Sequence, residues 1–274
     1  MTRLLIELKS IHDTFQEMQY HTHAQGFIYN LLRGSLYEQI HDTEGSKFFS
    51  FSNIFPYADL KQGDIRTFII SSPDDKFVRY LFDIILISAR RETMVNIGHM
   101  KFKINYLKEI YTRIPESNIH LITGTPIVIR IDKERYKKYG YESIYDNFTY
   151  WRNEQPIDVF IEQLQIKLLS KYARYYNKTI KEYHEFLAKY KNVKIFDVFK
   201  FKKQISTRLS INKFEQVIIG SIWEFIFNHI NNTNKDIIQF ALDSGLGERN
   251  SLGFGFMNLA AKNKQTAPLE VGPI

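Results

Sequence analysis

The segment Gly245-Leu246-Gly247-Glu248-Arg249-Asn250-Ser251-Leu252-Gly253-Phe254-Gly255 places four glycines in eleven residues. Glycine tolerates positive φ and lets a backbone come close to a neighbour or a ligand. A dinucleotide or Walker-type phosphate loop would need a strand before such glycines and a helix after them. Here the order is reversed. Residues 234–242 carry a short helical period and residues 252–259 read as a strand. On its own, Gly245 can serve as a helix cap ahead of a glycine-bent strand. The context excludes Rossmann and Walker readings.

Upstream, residues 216–227 and 193–201 are strand-like, with part of 204–214 extending the latter. Residues 159–176 carry a helical period behind Pro156, a residue suited to a helix start. Residues 119–131 form a strand candidate broken by Gly124 and Pro126, and 136–153 an irregular insertion rich in Tyr and Lys. The order is β-α-β-β-α-β. The first half repeats it, beginning with a strand at 3–8 and a helical stretch from about 22 to 41 marked by Phe27, Ile28, Leu31, Leu32, Leu36 and Ile40. Strands at 47–55 and 65–71 follow, then a helix started by Ser72-Pro73-Asp74 and strand character over 94–111. Two copies of this unit predict an α+β protein of two tandem ferredoxin-like (RRM-related) domains, 1–117 and 118–274. A single larger α+β domain is the alternative, since only pattern, not sequence identity, relates the halves.

The 274 residues are 44% hydrophobic and 24% charged, enough to bury a core. The absence of cysteine excludes disulfides, thiolate zinc sites, iron–sulfur clusters and cysteine nucleophiles. The longest mostly apolar run, 81–89, is interrupted by Asp83 and falls well short of the roughly 20 residues of a membrane span. The opening residues, broken by Glu7, do not read as a secretory signal. A soluble cytoplasmic protein is expected.

The net charge of +7 is concentrated in one place. Residues 171–214 hold twelve Lys and Arg, among them Lys200, Lys202, Lys203 and Arg208, against three acidic residues. Nine aromatic residues, including Tyr172, Tyr175, Tyr176, Phe199 and Phe201, are threaded between them. Cations neutralise phosphates and exposed rings stack on unpaired bases, which favours RNA as a partner. A solvated charged face over an aromatic core, or a surface for an acidic protein or membrane, would look the same.

The glycine segment, with the preceding helix 236–243 and the following Phe256-Met257, resembles the C-terminal glycine-rich motif of the Cas-six family, the CRISPR-associated endoribonucleases that cut repeat RNA. Two N-terminal stretches resemble the same family. Gln25-Gly26-Phe27-Ile28-Tyr29-Asn30 is similar to its first-helix motif, and His41-Asp42-Thr43-Glu44-Gly45-Ser46-Lys47-Phe48-Phe49-Ser50-Phe51 to its helix-to-strand motif. The resemblance implies a metal-independent endoribonuclease without a cofactor. It implies catalytic roles for Tyr29, His41 and Lys47, and RNA contacts from Gly245, Gly247, Arg249, Asn250, Gly253 and Gly255. The expected chemistry is attack of a ribose 2′-hydroxyl on the adjacent phosphorus, with His41 as general base or, in reserve, general acid. Lys47 would offset phosphate charge, and Tyr29 would hold a phosphate oxygen or orient the ribose.

The expected partner is CRISPR repeat RNA, precursor and processed guide, with a homodimer and a multi-subunit effector complex both open. The alternative is a non-catalytic repeat-RNA-binding subunit of such a complex. His21 and His23 form a His-x-His pair without evident further ligands, so a capping or surface role is expected of them and no metal site is assigned.

Overall fold

The computed structural model describes residues 2–40, 45, 47–140, 148–177, 179–211, 214–228 and 231–260. Its first half is a five-stranded antiparallel sheet of β1 (Thr2–Ser10), β2 (Ser50–Phe51), β3 (Ile65–Ser71), β4 (Val95–Ile97) and β5 (Met100–Tyr111), in the order β2-β3-β1-β5-β4. Leu4, Ile6 and Leu8 of the central strand are fully buried at alternate positions, so one face of β1 forms the core. Helices α1 (Tyr20–Leu32) and α2 (Asp75–Arg90) belong to the same core, α1 through Ala24, Ile28 and Leu32 and α2 through Phe77, Val78, Leu81 and Ile85. Asp74 caps α2 by accepting from Lys76 N (2.9 Å) and Phe77 N (3.2 Å).

The second half repeats the plan. Strands β6 (Ile119–Thr123), β9 (Val198–Ile211), β10 (Phe214–Phe227) and β11 (Met257–Leu259) form an antiparallel sheet in the order β11-β6-β10-β9. Helices α4 (Ile157–Tyr176) and α6 (Asn232–Ser244) pack on it around the stacked Phe160 and Trp223 rings, 4.4 Å apart. A small pair, β7 (Arg130–Asp132) with β8 (Phe148–Tyr150), the short helix α3 (Lys133–Lys138) and α5 (Ile180–Tyr190) are additions. The chain is thus two tandem ferredoxin-like units with a central first strand in each sheet. Among the described residues no helix is long and apolar enough to cross a membrane.

Several local expectations are corrected. The first helix stops at Leu32 rather than near 41, because Ser35 Oγ donates to Leu32 O and Gly34 takes φ +72°. Leu36, expected on its apolar face, is 99% exposed. The strand expected over 47–55 pairs as β2 for two residues and meets β3 beyond it through Ser52 with Ile69 and Phe55 with Thr67. Residues 94–111 fold into a hairpin turning at Gly98, φ +61°. The strand expected over 119–131 divides between two sheets. Residue 252 ends a turn of 3-10 helix, Asn250–Leu252, and of 252–259 the strand takes in 257–259. The basic segment hides a further helix, α5, opened by a reciprocal capping box between Thr179 and Glu182.

The halves are joined through buried contacts. Arg3 of β1 donates Nη2 to Leu242 O and Met257 O, both at 2.8 Å, and Nη1 to Asn258 Oδ1 at 2.9 Å. Its guanidinium also lies over the Phe256 ring. A cation on the last carbonyls of α6 is favourable there.

Candidate nucleic-acid interface

The glycine loop, residues 245–255, is seated between the two halves. Leu246 N donates to Gly255 O and Gly255 N to Pro126 O, both at 2.8 Å, while Glu248 N donates to Val128 O at 2.9 Å. Asn250, expected as an RNA contact, is turned inward. Its Nδ2 donates to Leu246 O and Phe254 O, and its Oδ1 accepts from Lys171 Nζ at 2.8 Å. The glycines are likewise used by the protein itself. A Cβ on Gly253 would run into the Phe51 ring, and one on Gly247 would lie 2.6 Å from Val128 O. Both positions have positive φ.

Lys171 is buried beneath this loop, where Nζ also donates to Gly245 O at 2.5 Å. Burial lowers its pKa to about 7. Its expected part in a solvated basic segment is therefore corrected to a structural one. His21 meets the loop from α1. It stacks on Phe254 with ring centroids 4.7 Å apart, and its Nδ1 lies 2.7 Å from Leu252 O, so that nitrogen carries the proton. Burial lowers its pKa to about 4, so it is a neutral packing group rather than a cap or surface histidine. His23 is exposed, 3.9 Å from Glu17.

Beside the loop opens a cleft of about 450 Å³ lined by Lys47, Arg130, Lys167, Arg174 and Arg249. Among the described residues the carboxylate in its wall is that of Glu248, whose side chain is only 9% exposed. It accepts from Arg130 Nε at 2.5 Å and Arg130 N at 3.3 Å, and lies 3.3 Å from Lys167 Nζ. The pair of cations is thus held in place by one anion, leaving the cleft strongly positive. Arg249 adopts φ +59°, and its Nε is buried with no hydrogen-bond partner among the described residues.

Of the three expected catalytic residues, Lys47 lines this cleft. Tyr29 stands at its edge: its hydroxyl accepts from Gln25 Nε2 at 3.4 Å, and the same nitrogen donates at 3.3 Å to Ser251 Oγ in the cleft wall. Burial raises the Tyr29 pKa, outweighing its hydrogen bonds to Ser251 and Gln25, so the phenol stays protonated. His41 lies outside the described residues. Lys200, Lys203 and Arg208 are exposed along β9 and do not line the cleft, while Lys202 is tied to Glu224 at 2.7 Å. Most of the interleaved aromatics pack on the core rather than offering stacking faces, with Tyr190 and Phe196 fully within it.

Arg130, Lys167 and Glu248 were not expected from sequence; a lone Arg in the apolar run Ile127-Val128-Ile129-Arg130-Ile131 was the available signal. Among the described residues no three His, Asp or Glu gather in a metal-binding group.

The family model described as CRISPR associated protein Cas6, C-terminal, matches residues 107–259. The chain is 30% identical over 265 residues to CRISPR-associated endoribonuclease Cas6 2 of Methanocaldococcus jannaschii, covering 93% of this chain and 98% of that protein. It is 28% identical over 267 residues to CRISPR-associated endoribonuclease Cas6 of Haloferax mediterranei, covering 96% and 95%. A solved structure described as a RAMP protein binding different RNA substrates superposes with a TM-score of 0.69 at 19% identity, over 95% of this chain and all of that one. Another, a CRISPR associated protein Cas6, gives 0.65 at 20% identity over 95% and 99%. With its own C-terminal half matched by the family model and nearly its whole length aligned to family members, this chain belongs to the Cas6 family.

Proposed function

We propose that this chain is a cytoplasmic endoribonuclease that cleaves precursor CRISPR RNA within its repeats, without a metal, to make guide RNAs for antiviral defence. The observation that carries the reading is the meeting of Tyr29 and Lys47, from residues 1–117, with the glycine loop of residues 118–274 around one cationic cleft.

The reaction needs three things of the protein: removal of the 2′ proton, protonation of the leaving 5′-oxygen, and stabilisation of the charged phosphorane. The 2′-oxygen bonds to phosphorus as the P–O5′ bond breaks, leaving a 2′,3′-cyclic phosphate and a 5′-hydroxyl. His41 takes the 2′ proton, a role imidazole side chains serve, and water supplies the proton that the departing 5′-oxygen takes up. Lys47 offsets charge on the non-bridging oxygens, and the protonated Tyr29 phenol donates a hydrogen bond to one of them. Metal independence is supported by donor chemistry: among the described residues the cleft's carboxylate, Glu248, is already shared by Arg130 and Lys167, and a divalent cation would meet like charge there. Arg249 and the loop's backbone contact the RNA beside this site, and Lys200, Lys203 and Arg208 carry the strand further along β9.

The reading is tested by separating cutting from holding. His41→Ala should lower single-turnover cleavage of a cognate repeat by ~10²–10⁴ while leaving its affinity within a few-fold. A wild-type protein that binds repeats tightly and cuts none would instead be an RNA-holding subunit.

A further inference from the structure

Lys47 lines a second pocket besides the cationic cleft, of about 160 Å³. Its other walls are aromatic: Phe48, Phe49 and Phe77 from the first half, and Tyr175 of α4 from the second. Phe49 and Phe77 are buried to the ring, whereas Phe48 and Tyr175 are half-buried and meet edge to face at 5.0 Å. Ser72 and Asp74 in the wall are already engaged. Ser72 Oγ donates to Phe48 O at 2.7 Å. Asp74 Oδ1 accepts two backbone N–H groups at the start of α2, and the carboxylate also takes the Tyr37 hydroxyl. The Tyr175 hydroxyl is pushed up to about 12 by burial and then by Asp74, so the phenol is neutral and, among the described residues, Asp74 is the carboxylate in the wall.

A largely aromatic pocket sharing a lysine with a larger cationic cleft suits a nucleotide, whose phosphate is anionic and whose base is a polarisable plane. We infer that this pocket receives one unpaired nucleobase, that of a nucleotide flanking the phosphate held at Lys47. The inference rests on the RNA-cleaving function proposed above and adds a base-binding subsite to it. Because Ser72 and Asp74 are spent internally and the rest of the wall beyond Lys47 is mainly aromatic, the pocket senses the presence of a base by stacking and shape rather than reading its edge. Both halves of the chain supply rings to it, so the subsite exists only where they are packed together.

The test is a set of repeat RNAs, each with one abasic position around the cut, measured for binding to the wild-type protein, Tyr175→Leu and Tyr175→Phe. Base–aromatic stacking is worth about 1–3 kcal/mol, so one abasic position should weaken wild-type binding by roughly 5- to 150-fold. At that position alone, the abasic RNA should bind Tyr175→Leu no worse than intact RNA does. Tyr175→Phe, which keeps the ring, should behave as wild type, and exchange of one base for another there should cost far less than its removal. Phe48→Leu, on the opposite wall, should show the same position-specific coupling and serves if Tyr175→Leu does not fold. Abasic penalties that add independently of Tyr175 and Phe48 at every position would overturn the subsite while leaving repeat cleavage intact. Failure of the wild-type protein to bind or cut the intact repeat would instead remove the functional reading, and the subsite with it.

Discussion

Lys171 donates to Asn250: the buried Nζ stands 2.8 Å from Oδ1, across 79 residues of sequence, and reaches Gly245 O with a second proton. One lysine nitrogen thereby closes the glycine loop onto α4, and Asn250 relays the hold to Leu246 and Phe254. Lys171→Met fills the space but leaves two buried acceptors short of a donor, at about 1–3 kcal/mol each. Its melting temperature should fall, and its loop should become the first site of limited proteolysis. A variant as stable as wild type would mean that the loop is held elsewhere.

The two buried bases make stability depend on pH in separate windows. Lys171 falls to about 7 in the fold against roughly 10.4 when unfolded. Between those values the unfolded chain holds a proton that the folded one lacks, so stability rises with pH. His21 falls to about 4 against roughly 6.5 unfolded, so its contribution is complete above 6.5 and drains away as pH falls to 4. Denaturation midpoints should show the acid-side slope flattened in His21→Gln and the alkaline-side slope flattened in Lys171→Met. Parallel curves for wild type and either variant would refute the corresponding assignment.

Glycines of positive φ should differ sharply in their tolerance of alanine. Gly34 opens onto empty space, whereas a Cβ at Gly253 meets the Phe51 ring. Gly34→Ala should cost only the left-handed backbone penalty of about 1–2 kcal/mol. Gly253→Ala should cost more and weaken RNA binding, since Phe51 is fully buried and cannot swing aside. Equal melting temperatures for the two variants would show that the packing at Phe51 does not matter.

The Glu248-anchored cations should register in the salt dependence of RNA affinity. Each phosphate neutralised on a single strand contributes about −0.7 to the slope of log K against log salt. Lys167→Met should shallow that slope by about this amount. Lys202→Met should change it less, because Glu224 offsets Lys202 at 2.7 Å whereas Glu248 is shared between Lys167 and Arg130. Identical slopes for wild type and Lys167→Met would place the RNA elsewhere.

Much of the fold was legible because periodicity and caps lie close together in sequence. The pattern of residues 65–71 matches the strand to the residue, and Asp74 announces α2. The overrun of the first helix shows the limit: Leu36 and Ile40 kept the spacing, while the stop lay in a side-chain bond from Ser35 and the conformation of Gly34. The Thr179–Glu182 box was readable but was masked by the charge of its surroundings. The inward turn of Asn250 and the burial of Lys171 were not readable, since an Asn in a glycine loop and a Lys in a basic run look solvent-facing until the partner 79 residues away is known. The pairing of Arg130 with Glu248 spans 118 residues and is hidden for the same reason.

The central claim, metal-free cleavage through the RNA's own 2′-hydroxyl, is tested most directly by end-group analysis. A labelled cognate repeat is incubated with the purified protein in EDTA, beside the same RNA carrying a single 2′-deoxy substitution at the cut. The account predicts cutting of the first alone, with a 2′,3′-cyclic phosphate on the upstream fragment and a 5′-hydroxyl on the downstream one. Cleavage of the deoxy RNA, or cleavage that appears only when a divalent metal is restored, would contradict it.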